Sequence, residues 1–208
     1  MTIFFDTEFT GLVPNTTLIS LGCVAETGEK FHAEFTDYNK DLCDDWIKEN
    51  VLNNLLLKDP PVKGMGRIDN TGNPFLDSTC VGDSKGIKDL FTKWLEYVNP
   101  NKERIQFVSD VCHYDFYLLC NLFGGAFSLP EYVNPVCYDI CQELTALDED
   151  VLRDIWDTSA DAEKMYWAFD ISREEICRSI TGKLPEGKKH NSLYDAEVIK
   201  MIYEGMRK

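Results

Sequence analysis

The sequence predicts one α/β domain, with a mixed β-sheet and helices packed on its faces. Strands open the chain, and strands and helices then alternate, an order typical of such a sheet. A length of 208 residues suits a single domain, and no internal repeat or linker divides residues 1–208. Hydrophobic residues make up 44% of the chain, enough for a buried core and too many for a disordered acidic segment.

The first part of the chain predicts three strands and a helix. Residues 2–9 alternate with a period of two, which is typical of a strand. Residues 18–25 are rich in strand-forming residues, and the turn at 27–28 leads to a third strand at 30–35, so we expect an antiparallel meander. Residues 44–57 have the composition of a helix. The side chains expected to face inward on it are Trp46, Ile47, Val51, Leu55 and Leu56.

The segment at 58–83 shows the pattern of neither a helix nor a strand. It contains Pro60, Pro61 and Pro74 together with four glycines, and it is longer than an ordinary connection. We expect a long irregular loop that acts as a lid beside a functional site.

Strands and helices alternate after this loop. Residues 84–98 place apolar side chains along one helical face, which predicts a helix capped by Asp83 or Ser84. Residues 104–109 predict a fourth strand, and residues 114–123 predict a helix that ends at a glycine pair. The last predicted elements are a short fifth strand at 136–138, a helix capped by Asp139, a helix with the capping box Ser172-x-x-Glu175, and a helix at 192–206.

The formal net charge is −15 at pH 7. This charge argues against a broad electrostatic surface for nucleic acid, but it is compatible with an enzyme that contacts phosphates through divalent cations. The longest stretch without a charged residue or histidine, 116–130, is too short to cross a bilayer, so we expect no membrane partner. The first residues lack the basic start of a secretory signal, and we therefore expect a cytoplasmic protein whose cysteines are free thiols.

Asp6 and Glu8 lie two residues apart in the first strand, so their carboxylates project from the same face. They belong either to a strand end that reaches solvent or to a site that holds a cation. The apolar neighbours Phe4, Phe5 and Phe9 favour the cation site, because uncompensated charge inside an apolar strand costs free energy.

Asp115 and Asp195 each begin the apolar stripe of a predicted helix. Leucines follow Asp115 after three, four and seven residues, and isoleucines follow Asp195 after four and seven residues. Both carboxylates should therefore point toward the sheet. Two structural alternatives remain open, because the helix dipole favours an acid in a first turn and Ser192-x-x-Asp195 fits a capping box.

His190 precedes Asp195 by five residues, in a loop that also contains Lys188 and Lys189. Such a histidine is either a surface residue or, near a carboxylate cluster, a base that accepts a proton from water. Neighbouring carboxylates are expected to raise its pKa. His113 is a candidate for substrate contact.

The four acids and the histidine together resemble the pattern of the DEDD exonucleases, in the branch that contains a histidine. The pattern lies in three stretches, FDTEF at 5–9, HYDFYLL at 113–119 and HNSLYDA at 190–196. The resemblance implies an RNase H-like fold with a central five-stranded mixed sheet flanked by helices. It also implies a 3'-5' exonuclease that hydrolyses phosphodiester bonds, releases 5'-mononucleotides and uses two Mg²⁺ or Mn²⁺ ions in each active site.

The resemblance assigns a role to each member of the set. Asp6 would contact both ions, Glu8 and Asp195 would complete one site, and Asp115 would complete the other. His190 would take the proton from the attacking water. The five catalytic residues would therefore be Asp6, Glu8, Asp115, His190 and Asp195.

Within this family the chain looks most like the small exoribonucleases of the RNase AS type, at DTEF (6–9), LISLG (18–22) and WIKENVL (46–52). This likeness implies that the 3' end of single-stranded RNA is the substrate, and nucleases of this kind often form homodimers. The chain departs from the proofreading and RNase T pattern at Val111, where those relatives commonly have asparagine.

Substrate contacts are less clearly indicated. Phe9 and Leu12 either stack on the terminal base or pack at the strand end. Lys188 and Lys189 are candidates for phosphate contacts. Two other functions remain open, a single-stranded DNA 3'-5' exonuclease and a non-catalytic acidic domain that binds or mimics nucleic acid.

Overall fold

A computed structural model, which describes residues 1–57, 77–144 and 172–207, contains one mixed six-stranded sheet. The strands are β1 (Thr2–Phe9), β2 (Leu18–Ala25), β3 (Lys30–Phe35), β4 (Asp77–Gly82), β5 (Gln106–Ser109) and β6 (Tyr138–Asp139). Their order across the sheet is β4-β3-β2-β1-β5-β6, with β1–β2 and β2–β3 antiparallel and the other pairs parallel. The predicted α/β class is confirmed, and the sheet is compatible with an RNase H-like fold.

The predicted number of five strands is wrong, because β4 pairs in parallel with β3 along its whole length. The irregular loop predicted at 58–83 is therefore wrong over 77–82, while residues 58–76 lie outside the described residues, and so does the hypothesis of a lid. Strand β4 is an edge strand, whose sheet partner is β3. This pairing joins segments that are far apart in the chain, with Lys30 opposite Asp77, and it is therefore not visible in the local sequence.

The helices pack on both faces of the sheet. They are α1 (Asp45–Asn50), α2 (Ser84–Val98), α3 (His113–Phe123), α4 (Cys141–Leu144), α5 (Arg173–Thr181) and α6 (Ser192–Gly205), and 3-10 turns lie at Lys40–Leu42, Leu52–Asn54 and Ala126–Ser128. None of the helices in the described ranges is long and apolar enough to cross a membrane.

The observed N-cap residues of the helices match the predicted ones only in part. Asp83 caps α2 by accepting the N–H of Gly86 at 2.8 Å. The capping box predicted at Ser172 is wrong, because Ser172 makes no side-chain cap. The alternative of a capping box at Ser192 is also wrong, because Asn191 caps α6.

The helix predicted at 44–57 is shorter than expected and continues as a 3-10 turn. Ile47 and Val51 are buried as predicted, but Trp46 and Leu56 are 52% and 55% exposed. Leu56 lies beyond α1, which ends after only six residues, so it no longer follows the helical face that buries Ile47. Trp46 lies within α1 but directly before Ile47, about 100° away around the helix, and so it faces outward.

Side chains of β1 alternate between two cores. Phe5 packs in the core that includes residues of α2 and α3, whereas Phe4 packs with residues of α5 and α6 on the opposite face. By the same alternation, Asp6 and Glu8 face α6, and Thr7 faces α3.

Helix α6 begins in close contact with β2, and a glycine makes this contact possible. A Cβ atom on Gly22 would lie 2.2 Å from the backbone carbon of Ser192. Gly22 is paired with Asp6 across the sheet, and Ser20 donates a hydrogen bond to the Ser192 hydroxyl at 2.9 Å. The missing side chain therefore lets the first turn of α6 approach the acidic part of β1.

We expect Gly22→Ala to destabilise the protein by about 1–3 kcal/mol or more, because the added methyl must displace backbone rather than a flexible side chain. Urea unfolding would measure the change. Gly82→Ala is the matched control, since among the described residues its Cβ would meet only Ile87, at an ordinary 3.8 Å. Equal stability of the two variants would contradict the close approach of α6 to β2.

Candidate active site

A cleft of about 820 Å³ opens beside β1, beyond the point where its partner β5 ends. Strand β1 pairs with β5 only through Thr2–Phe4, so the later residues of β1 have an open edge on that side. The candidate residues that line the cleft are Asp6, Glu8, Phe9, Leu12, His113, Asp115, Lys189, His190 and Asp195. Lys188 is exposed and is not among the lining residues, so its expected substrate contact has no support from the cleft.

Asp6, Glu8 and Asp195 form the centre of the cleft. One carboxylate oxygen from each lies within 4.8 Å of the other two, so this group could hold a metal ion. The first two side chains come from one face of β1, and the third comes from the first turn of α6, which the glycine in β2 admits. A set of oxygen donors is the kind that Mg²⁺ and Mn²⁺ prefer.

Asp115 reaches the same cleft from the other face of the sheet. Its Oδ1 atom accepts hydrogen bonds from the Thr7 backbone N–H at 3.0 Å and from the Thr7 hydroxyl at 2.6 Å. The sequence places these two residues 108 positions apart. Asp115 thus occupies the edge of β1 that β5 leaves open, next to the group formed by Asp6, Glu8 and Asp195.

Burial and mutual repulsion disfavour the charged forms of these acids. Burial, followed by the charge of Asp115, raises the pKa of Asp6 well above its ordinary value. Burial, followed by the charge of Asp195, raises the pKa of Glu8 to about 8. The pKa of Asp195 rises to about 7 and that of Asp115 to about 6, in both cases chiefly through burial. Hydrogen bonds from His190 and Thr7 oppose the last two shifts. A cation would relieve this repulsion.

His190 lies at the entrance of α6 with a backbone φ of 63°, in the left-handed region. Its N–H donates to Asp195 Oδ2 at 2.8 Å, and its ring meets the Trp46 indole edge-on at 4.9 Å between centroids. The expectation of a raised pKa is wrong. Burial and the charge of Lys189 lower the pKa of His190, and Glu174 opposes them only in part.

Several residues of the cleft were missed by sequence reasoning. Asp110 follows β5 directly, and its Oδ2 atom accepts from Arg173 Nε at 2.5 Å. Arg173 Nη2 also contacts Cys141 Sγ at 3.0 Å. An acid at the end of a buried strand is a signal that could have identified Asp110. The arginine that pairs with it lies 63 residues away and has no local signature.

Asp139, the last residue of β6, binds the backbone at the start of α4, close to the capping role that the sequence predicted. Its Oδ1 atom accepts the N–H of Cys141 at 2.9 Å and that of Val111 at 3.1 Å, and its Oδ2 atom accepts the N–H of Cys112 at 3.1 Å. The carboxylate therefore joins the end of β6 to the start of α3, the helix that carries Asp115.

Phe9 and Leu12, the two candidates for base contact, differ in how they pack at the rim of the cleft. Phe9 stacks on Tyr114, with ring centroids 5.5 Å apart and an interplanar angle of 20°. Leu12 is 74% exposed, and Trp46 forms another exposed apolar surface of the rim. Phe9 therefore fits the packing alternative, while Leu12 remains accessible to a ligand.

Comparison with known proteins gives a distant similarity. Two curated proteins of Mycobacterium tuberculosis, from strains CDC 1551 / Oshkosh and ATCC 25618 / H37Rv, are each named 3'-5' exoribonuclease and are 27% identical to this chain over 150 residues. The matched segment covers 72% of this chain and 75% of each relative. A scan against models of protein families found no match.

The acids of the cleft predict a pH-dependent stability when metal is absent. Folding raises the pKa of Glu8 from 4.5 to about 8 and that of Asp195 from 3.8 to about 7, so the folded state favours the protonated forms. Their contribution to stability is complete below the unfolded values and is lost as the pH rises through the folded values. We expect the free energy of unfolding in EDTA to fall between about pH 4 and pH 8.

Urea unfolding across this pH range would measure the slope, and Glu8→Gln should reduce it. Glu49→Gln, at an exposed position on α1, is the control and should leave the slope unchanged. A Glu8→Gln variant with the wild-type slope would contradict the assignment of this pH dependence to the cleft.

Proposed function

We propose that this protein is a divalent-metal-dependent 3'-5' exonuclease that releases 5'-mononucleotides from the 3' end of single-stranded RNA. The observation that carries the proposal is the group formed by Asp6, Glu8 and Asp195 within 4.8 Å of one another, with Asp115 and His190 in the same cleft. The distant similarity to two proteins named 3'-5' exoribonuclease supports both the reaction and the choice of RNA.

In this proposal the four acids of the cleft would hold two Mg²⁺ or Mn²⁺ ions. Asp6, Glu8 and Asp195 would hold one ion, and Asp6 and Asp115 would hold the other. All four provide oxygen donors, and burial together with neighbouring negative charges raises their pKa values, so bound cations would stabilise the charged forms. Such ions lower the pKa of bound water and stabilise the charge that develops during phosphoryl transfer.

The proposed base is His190. In this proposal its imidazole accepts the proton of the attacking water, which requires the neutral form of the ring. Burial and Lys189 lower its pKa and so favour that form at neutral pH.

Substrate binding would use the rim of the cleft. The exposed side chain of Leu12 offers an apolar surface for the terminal base, and His113 and Lys189 lie where they can contact sugar or phosphate. Phe9 would support this surface through its stacking on Tyr114.

The reaction can be tested on matched single-stranded RNA and DNA oligomers, labelled at the 5' end and incubated with Mg²⁺, Mn²⁺ or EDTA. We expect stepwise shortening of RNA from the 3' end, release of 5'-mononucleotides and no reaction in EDTA. Asp6→Asn and Asp115→Asn should abolish cleavage and retain the fold, because an amide keeps the shape of the carboxylate without its charge. Their thermal stability in EDTA should hold or rise.

Each alternative function has a distinct outcome in this assay. Faster shortening of DNA than of RNA would reassign the substrate to single-stranded DNA. Binding of RNA without metal-dependent cleavage would indicate a non-catalytic domain. Unfolding of both amide variants would place these acids in a structural role.

We expect His190→Ala to lower kcat by about 10²- to 10⁴-fold, the usual contribution of general acid–base catalysis. Mn²⁺ affinity, measured by calorimetry, should be retained because the four acids remain. Lys188→Ala is the matched control from the same loop, since Lys188 does not line the cleft. A kcat near that of the wild type at saturating Mg²⁺ would refute the base assignment, and equal losses of kcat and RNA affinity would make His190 a phosphate contact.

A further inference from the structure

The backbone around His190 requires support from outside its own loop. A histidine in the left-handed region adopts a conformation that side chains with a Cβ atom rarely adopt, so neighbouring contacts must stabilise it. His190 itself makes two such contacts, since its N–H donates to Asp195 and its ring packs edge-on with Trp46. The residues on either side of it are both bound by one distant residue, Asn54.

Asn54 makes one hydrogen bond to each neighbour of His190. Its Nδ2 atom donates to the backbone carbonyl of Lys189 at 3.1 Å. Its own backbone carbonyl accepts from Asn191 Nδ2 at 3.1 Å. Asn191 is buried and also caps α6 by accepting the N–H of Tyr194. Asn54 therefore links the loop that holds His190 to the helix that carries Asp195.

The turn that contains Asn54 is itself anchored to the sheet. Just beyond the turn, two backbone N–H groups donate to the carboxylate of Glu34. The N–H of Leu56 lies 2.5 Å from Oε1, and that of Leu57 lies 3.1 Å from Oε2. Glu34 lies in β3 and is 2% exposed. Val51, directly before the turn, is 1% exposed. Contacts of buried residues on both sides of Asn54 therefore anchor the turn.

We propose that Asn54 is a positioning residue that holds His190 in the cleft. The role rests on the proposed function, in which His190 is the base. Asn54 does not line the cleft, so it would act on the reaction through the loop and not through contact with the substrate. The effect of losing it should therefore appear in kcat and not in RNA affinity.

Asn54→Leu tests this role, because leucine is close to asparagine in size but cannot donate to the Lys189 carbonyl. We expect kcat on the RNA oligomer to fall about tenfold or more, since a small displacement of a catalytic group has effects of this order. KM should stay within about twofold. Asn53→Leu is the matched control at an exposed position of the same turn and should behave like the wild type.

A double variant separates positioning from a general structural effect. If Asn54 acts only through His190, then Asn54→Leu combined with His190→Ala should be no slower than His190→Ala alone. A further loss of kcat in the double variant would overturn the proposal, and so would a wild-type kcat in Asn54→Leu.

Amide hydrogen exchange gives a readout that needs no turnover. We expect Asn54→Leu to speed exchange at residues 189–191, with α2 and Mn²⁺ affinity unchanged. If the wild type cleaves no RNA, the proposed function fails, while exchange still reports whether Asn54 holds the loop. If exchange at 189–191 is the same as in the wild type, the inference fails independently of activity.

Asn191→Ser keeps the proposal testable if Asn54→Leu does not fold. Serine is also a favoured N-cap residue, so α6 should keep its start, but its side chain is too short to reach the Asn54 carbonyl. We expect the same direction of change in kcat and in exchange at 189–190. Wild-type kcat and wild-type exchange in a folded Asn191→Ser protein would overturn the proposal that the hydrogen bonds of Asn54 hold His190 in position.

Discussion

The repulsion between like charges in Asp6, Glu8 and Asp195 is the constraint on which the rest of the structure depends. One carboxylate oxygen from each lies within 4.8 Å of the other two, and all three side chains are half-buried in the lining of the cleft. Burial raises the pKa of each side chain, and the charge of Asp195 adds to the rise for both Asp6 and Glu8. A protein can hold such a group together only if the backbone that carries it is fixed by other interactions, because the group itself opposes its own assembly.

Packing on both faces of the sheet supplies this fixed backbone. Phe5 and Phe4 anchor opposite faces of β1 in separate cores, immediately before the acidic residues begin. Gly22 admits α6 against β2, and Thr7 binds Asp115 at the open edge of β1. Each acid is thus carried by a strand or by the first turn of a helix, and a divalent cation would convert their repulsion into coordination.

Much of the fold follows from short-range patterns. The alternation at 2–9 predicted β1, and the apolar stripe at 84–98 predicted α2 with its Asp83 cap. The patterns failed where a distant partner decides the conformation. Strand β4 forms because β3 offers it a parallel partner, although prolines and glycines precede it in the sequence.

The sequence by itself determined which side chains share a face, because side-chain direction in a strand or helix follows from local periodicity. That periodicity paired Asp6 with Glu8 and turned Asp195 toward the sheet. Only the tertiary structure decided how far apart these elements lie and which distant groups contact them. The pKa of His190 is lowered chiefly by burial, which the tertiary structure decides. The residues on either side of His190 are bound by Asn54, which lies far away in the chain, and no local pattern records such contacts.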